Sequence, residues 1–499
     1  MEKYSKKILK FLDENHNLYI RRFDNIDEYP IIKSINSIIH ETNNQNEELK
    51  KQIKTETFKI PKLHTHKTPL VYDAIYEMYK KNILKDNFNK YTNIEVSEYP
   101  TKNQLENINE FINWHRITHH NIYITQFDDE TNNSLKQIKK PEHMRKQLHK
   151  MIYDNPFVSL DVQHYTEITD LKLTVYTSDE FNVSIYEDLE KNEKYKINID
   201  LIFHIARIMR TIGKMNGTNC TPNIIILASL QRKCLPNDGN EKMFCPMNIN
   251  SGSSIRGTKV QIWRFEEIYK VLIHELIHYY GNDFYCDNVC LERNKQRQNK
   301  QNKQNKQNKQ NQQNKQNQKN KQNQQNKQNQ QNQQNPQNQQ NLKVIGNDMT
   351  NESYTELTAL LIHSTLVSYY TKINLQKILS DEMAFTYFQI NKIINFIGKS
   401  EDGITRLKQT TSVYSYYIVK GCILYNLDDY MQFVRNIENL NINNRISEYQ
   451  NFVDMIIDKS YEKIMYNNND KYIEQTNIDK NKKNQYITQT LRMTCYQIK

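Results

Sequence analysis

Glycine and proline are scarce in this chain, ten of each among 499 residues, and alanine is rare, while Asn, Gln, Lys, Ile and Tyr are over-used. That is the bias of AT-rich coding sequence, so part of it reports on codons and not on function. Seven cysteines form an odd, scattered set without a single CxxC. That excludes a disulfide framework and a thiolate zinc cluster. Cys286 and Cys290 fall one helical turn apart, and their simplest reading is ordinary reduced thiols. No run approaches the ~20 apolar residues of a spanning helix. Met1 to Asn15 carries Lys and Glu throughout, with no apolar stretch for a signal peptide. The expectation is a soluble intracellular protein without a membrane span.

A free basic face is missing too. The net charge of +11 suggests nucleic acid, but nine lysines, one arginine and no acid lie between Asn294 and Asn341. A solvated polar tract carries the charge, and no basic stripe remains to follow a phosphate backbone. No nucleic-acid partner is expected.

Residues 1–154 read as mainly helical and polar, with patterned stretches such as Ile31-Ile32-Ile38-Ile39 and Leu105-Ile108-Phe111-Ile112. From about residue 155 helix and strand mix. Leu171 to Tyr176 alternates as a half-buried strand, and Asn223 to Ala228 reads as a buried one. Ile199 to Met215 has helical spacing between them. Met247 to Ile255 and Thr258 to Trp263 read as two extended pieces. A helix is expected from near Arg264, with Phe265, Ile268, Leu272, Leu276 and Tyr279 on one stripe and Gly281-Asn282 as its stop. The fold class is therefore α+β, with its core over 155–430 and a helical, partly mobile region over 431–499.

Residues 294–341 are an Asn-Lys-Gln repeat that cannot bury enough surface to offset its chain entropy, so disorder is expected there. A second helix is expected from Thr350 or Asn351, either of them an adequate N-cap, through Leu357, Leu360, Leu361 and Leu366.

Two strings carry chemistry. His274-Glu275-Leu276-Ile277-His278 puts two imidazoles on one helix face with a carboxylate beside them. Such a pair begins a catalytic zinc site, which needs a third protein ligand and an open position for water. Asn351-Glu352-Ser353-Tyr354-Thr355-Glu356 offers two carboxylates one turn apart at the start of the second helix. His115 and His119 are also four apart, but no carboxylate completes a site there. The continuation HExxHxxGxxH of another zinc-peptidase class fails: Gly281 fits, but Phe284 holds the third-ligand position, and Asp283 and Asp287 have the wrong spacing.

With HExxH followed by NExxTE, the chain resembles the gluzincins, the thermolysin-like zinc metallopeptidases, whose second motif is NExxSD or close variants. The resemblance implies a zincin-like core and one Zn2+ per chain held by His274, His278 and Glu352. It further implies Glu275 as general base and Glu356 in place of the Asp that supports a ligand histidine. An oxyanion donor would come from later in the chain, with Tyr416, Tyr417 and His363 as candidates. An edge strand holding an extended peptide substrate would include Asn250, Ser251 and Gly252. The spacing and Asn-rich texture are also similar to those of metalloproteinases of large DNA viruses, which adds host cytoplasm or virion as locations.

Two other readings remain beside peptide hydrolysis: a catalytically inactive zinc-binding scaffold, and hydrolysis of a non-peptide amide. His278 and Glu352 are 74 positions apart, and removing the 48 residues of 294–341 leaves 26, a separation of the kind found in that family. Loop closure entropy grows only logarithmically with length, so the tract reads as an insertion. Deleting residues 294–341 should leave metal content unchanged; loss of metal from the deleted protein would show that the tract belongs to the site.

Overall fold

A computed structural model describes mainly residues 3–14, 25–60, 169–190, 196–236, 246–283, 347–397, 411–437, 442–466 and 490–498, with isolated positions between them. Leu105 to Ile112, His115, His119, Phe284, Cys286, Asp287, Cys290, residues 294–341 and the stretch after Tyr466 up to residue 486 lie outside the described residues.

A six-stranded mixed sheet organises the chain. In chain order its strands are β1 (Lys54–Ile60), β2 (Leu171–Thr177), β3 (Asn182–Asp188), β4 (Asn223–Leu227), β6 (Gly252–Ile255) and β7 (Lys259–Ile262). Their spatial order is β1-β2-β3-β4-β7-β6. β1, β2 and β3 run antiparallel, β3, β4 and β7 are parallel, and β6 returns antiparallel to β7 at the edge. A separate parallel pair joins β5 (Met243–Phe244) to β8 (Lys408–Gln409).

Helices α1 (Lys3–Glu14), α2 (Pro30–Asn44) and α3 (Asn46–Gln52) open the chain. α4 (Ile199–Met215) carries it from β3 to the parallel β4 and starts where the Asn198 side chain accepts the Leu201 N–H. One turn, α5 (Pro246–Ile249), precedes β6, and α6 (Ile268–Tyr280) follows β7. Then come α7 (Asn347–Thr371), α8 (Leu375–Ile397), a π-helical turn over Tyr414–Val419, α9 (Lys420–Tyr425), α10 (Leu427–Ile437) and α11 (Ile442–Tyr466). Among the described residues no helix is long and apolar enough to cross a membrane.

α6 is the central helix, buried at nearly every position because Val271, Ile273 and Ile277 extend its apolar stripe all round. Gly281 closes it in the left-handed conformation (φ 65°). The N–H groups of Gly281 and Asn282 then cap His278 and Ile277.

Several expectations need correction. Within 1–154, expected to be mainly helical, Lys54–Ile60 is a strand and pairs along its whole length with β2. Ile8, Ile39, Tyr449, Phe452 and Leu491 share one buried cluster with Ile202 and Leu272, so the described core includes residues from both ends of the chain. Met247 to Ile249 is helical, because Asn250 N–H bonds back to the Pro246 carbonyl and closes a turn. α6 starts at Ile268 and not near Arg264, because Glu267 takes the left-handed conformation (φ 60°) and interrupts the ladder. α7 begins at Asn347, so Thr350 and Asn351 lie within it instead of capping it. Residues 490–498, in a region expected to be loose, are all buried.

His204 of α4 ties two further helices together. Its Nε2 meets the Ile39 carbonyl at 3.0 Å, and its Nδ1 meets the Tyr370 hydroxyl at 2.6 Å. This is the neutral ring, one nitrogen donating and the other accepting. Burial lowers its pKa from 6.5 to about 4. The unfolded chain therefore binds the extra proton first, and stability falls as pH drops from about 6.5 to 4, by about 3 kcal/mol for this group. Urea unfolding of His204→Gln against wild type should show a shallower acid loss; equal slopes would remove His204 as its source.

Candidate metal centre

His274 and His278 lie one turn apart on α6, and Glu352 projects from the first half of α7. The two Nε2 atoms are 3.1 Å apart, and Glu352 Oε2 is 3.3 Å from one and 3.5 Å from the other. Zinc bonds of about 2.0–2.1 Å at tetrahedral angles require donor separations of about 3.3 Å. The three atoms form a triangle of that size. Glu352 Oε2 is buried with no protein hydrogen bond of its own. A donor set of two imidazoles and one carboxylate suits a divalent transition-metal ion, zinc among them, and the spacing fits such an ion.

The other ring nitrogens face carboxylates. His278 Nδ1 is 2.5 Å from Asp283 Oδ2, and His274 Nδ1 is 3.3 Å from Glu356 Oε2. The Asp283 contact fixes the His278 tautomer that leaves its Nε2 lone pair free, while Glu356 faces His274 Nδ1 as a nearby charge without a hydrogen bond. Glu356 is fully buried and receives Lys270 Nζ on the same oxygen and Lys420 Nζ on the other, the latter at 3.3 Å.

The electrostatics follow from this crowding. Burial disfavours a charged His278, but Glu352 and Asp283 outweigh it and raise its pKa well above the usual range. His274 is raised in the same way, against burial, by Glu352 and Glu356. Burial opposes charge on Glu352 and Glu356 too; the histidines beside the first, and the two lysines beside the second, lower both pKa values strongly. Protons and a metal ion thus compete for the same two nitrogens.

Glu275 sits beside the triangle, buried, with its pKa raised by that burial against the pull of the two histidines. β6 packs directly on it. A Cβ at Gly252 would stand 2.8 Å from both Glu275 Cγ and Glu275 Oε1, so any side chain there would have to push the Glu275 carboxylate aside. Ser254, two residues on, donates its hydroxyl to the Glu275 carboxylate.

Of the three oxyanion-donor candidates, only Tyr416 reaches the site. Its ring centroid is 6.0 Å from that of His274, and its hydroxyl meets Glu352. Burial, then the charges of Glu352, Glu275 and Glu356, push its pKa up, so the hydroxyl keeps its proton. Tyr417 turns away and donates to the Leu491 carbonyl at 2.5 Å. His363 is buried among the charges of Lys270, Glu267 and Arg492, with its pKa lowered to about 3 mainly by burial. Neither belongs to the metal centre.

The substrate-strand residues divide as well. Gly252 opens β6, whose outer edge pairs with no strand among the described residues. Asn250 and Ser251 precede the strand and hold structure together. Asn250 accepts Trp263 Nε1 on its carbonyl and the Thr411 hydroxyl on its side chain, and the Ser251 carbonyl accepts Trp263 N–H.

Sequence reasoning missed Lys270, Lys420 and Ser254, and it weighed Asp283 only as a third ligand and not as the partner of His278. The Gly-Asn-Asp that follows HExxH held a signal for that pairing, because a left-handed Gly281 turns the chain back toward His278. The lysines left none, since lysine is ordinarily a surface residue.

Comparison with protein-family models, with curated proteins and with solved structures returned no match to this chain. Replacing Asp283 by Asn should weaken zinc binding about 10- to 100-fold in chelator competition. Unchanged affinity would remove Asp283 as the partner that orients His278.

Proposed function

We propose that this chain is a zinc-dependent peptidase. One observation carries the reading: three donor atoms separated by 3.1–3.5 Å, with the buried carboxylate of Glu275 beside them. A structural zinc site is closed by four protein ligands, whereas three ligands and a neighbouring base suit hydrolysis. Zinc, when bound, supplies Lewis acidity and lowers the pKa of a water in its fourth position to about 7.

The remaining work falls to side chains. Glu275 takes the proton of the attacking water and passes it to the leaving amine. Burial raises its pKa toward that of a group able to do both. Tyr416 donates its retained proton toward the oxygen that gains charge, the role of an oxyanion-hole donor. The outer edge of β6, which pairs with no strand among the described residues, suits an extended peptide, which would pair with it by strand addition and so place its carbonyl over Glu275. This edge favours a peptide over another amide as substrate.

The expected result of metal analysis is about one zinc per chain in both wild type and Glu275→Gln. Chelator-sensitive peptidase activity should appear in wild type and fall about 100- to 10,000-fold in the variant. Gly252→Ala should also lose activity with zinc retained, because its methyl group displaces Glu275. A zinc-free wild type would refute the metal site. Zinc without hydrolysis of any peptide in a library would leave a binding scaffold instead.

A further inference from the structure

Residues Leu491–Gln497 run through the interior without joining any sheet, and their main chain is bound mostly by side chains. The Glu267 carboxylate accepts the N–H groups of Met493 and Thr494, both at 2.6 Å. Glu382 accepts those of Cys495 and Tyr496 at 3.2 and 3.3 Å, together with the Thr494 hydroxyl. In the other direction, Tyr417, Gln389 and Lys420 donate to the carbonyls of Leu491, Arg492 and Met493. Backbone bound in this way is ordinarily that of a captured peptide, and here the peptide belongs to the chain itself.

Its partners lead to the metal centre by three routes, one of them through Lys270, whose Nζ meets the Met493 sulfur at 3.7 Å and also Glu356 Oε2. Glu267 stands directly before α6, pairs with Lys233 at 2.7 Å, and fixes the start of the helix that carries both histidines. Lys420 bonds the Met493 carbonyl at 2.9 Å and Glu356 Oε1 at 3.3 Å, and Glu356 Oε2 faces His274 Nδ1. Three contacts therefore connect the strap to a metal ligand: Met493 to Lys420, Lys420 to Glu356, Glu356 to His274. All four residues are buried, so water cannot replace a lost partner cheaply.

The geometry points to Lys420 as a positioning residue through which the docked segment Leu491–Gln497 holds His274 in its metal-binding orientation, so that strap docking and zinc binding reinforce each other. This rests on the metal-site reading above. Linkage makes the coupling reciprocal: if the docked strap strengthens zinc binding, bound zinc must hold the strap in place by the same factor.

Amide hydrogen exchange on the full chain, zinc-loaded and chelated, tests it. Exchange over 490–498 should slow about ten-fold or more when zinc binds. Lys420→Met keeps all three ligands but cuts the direct Lys420 link. It should bind zinc about 10- to 100-fold more weakly and show a clearly smaller zinc-dependent slowing in the strap than wild type. Thr494→Val, which removes the hydroxyl that meets Glu382 and the Tyr496 main chain within the strap, provides a second handle remote from the ligands. It should speed strap exchange and lower zinc affinity together. Identical strap exchange with and without zinc, in protein shown to hold the metal, would overturn the coupling. So would a loosened strap with wild-type affinity in Thr494→Val. A wild type that takes up no zinc would instead refute the metal site, and the coupling with it.

Discussion

A carboxylate with no access to water sets the geometry of this protein. Glu356 is fully buried, and its charge is tolerated because Lys270 and Lys420 reach it from two different elements. Removing one partner from such a cluster typically costs about 3–5 kcal/mol, because the remaining charge is left unpaired. That cost fixes the register of three helical elements. α6 supplies Lys270 and His274, α7 supplies Glu356, and α9 supplies Lys420. Glu352 then lies one turn earlier on α7, at the Nε2 atoms of both histidines. Tyr416, four positions before Lys420, meets Glu352 just as Lys420 meets Glu356. The π-helical turn over Tyr414–Val419 keeps both contacts on one side, and such turns recur at functional sites.

The sheet contributes from the other side of α6. β7 leads into the helix, and β6 folds back beside it at the edge. Gly252 lets the strand approach Glu275 without displacing its carboxylate. The strand that would hold a peptide therefore also shapes the position of the group proposed to move its proton. Because the proposed base, the candidate ligands and Tyr416 all stand on buried elements, the proposed reaction would need little reorganisation as charge develops. That is the condition under which electrostatic stabilisation is strongest.

The local part of this site was legible in the sequence. Helical spacing alone placed His274, Glu275 and His278 together, and it placed Glu352 and Glu356 on one face of the next helix. The strand character of Leu171–Thr177 and Asn223–Leu227 was equally plain from alternation and β-branched residues. What failed were features decided by distant partners. Lys54–Ile60 is mostly polar and exposed, and only its pairing with β2 makes it a strand. Glu267 reads as the next residue of a helix, yet its contacts with Met493 and Thr494 accompany a left-handed backbone. Leu491–Gln497 has neither helical nor strand periodicity, and the side chains outside the segment's own neighbourhood that bind its main chain lie 73 to 227 positions away. Lys270 and Lys420 look like surface residues until their carboxylate is seen between them.

The most direct measurement is the zinc K-edge X-ray absorption spectrum of the purified, zinc-loaded chain. The ligand set His274, His278 and Glu352 requires nitrogen and oxygen donors alone at about 2.0–2.2 Å, with the multiple scattering of two imidazoles. A sulfur shell at about 2.3 Å would contradict it, because the metal would then be held by cysteines and not by the two motif helices.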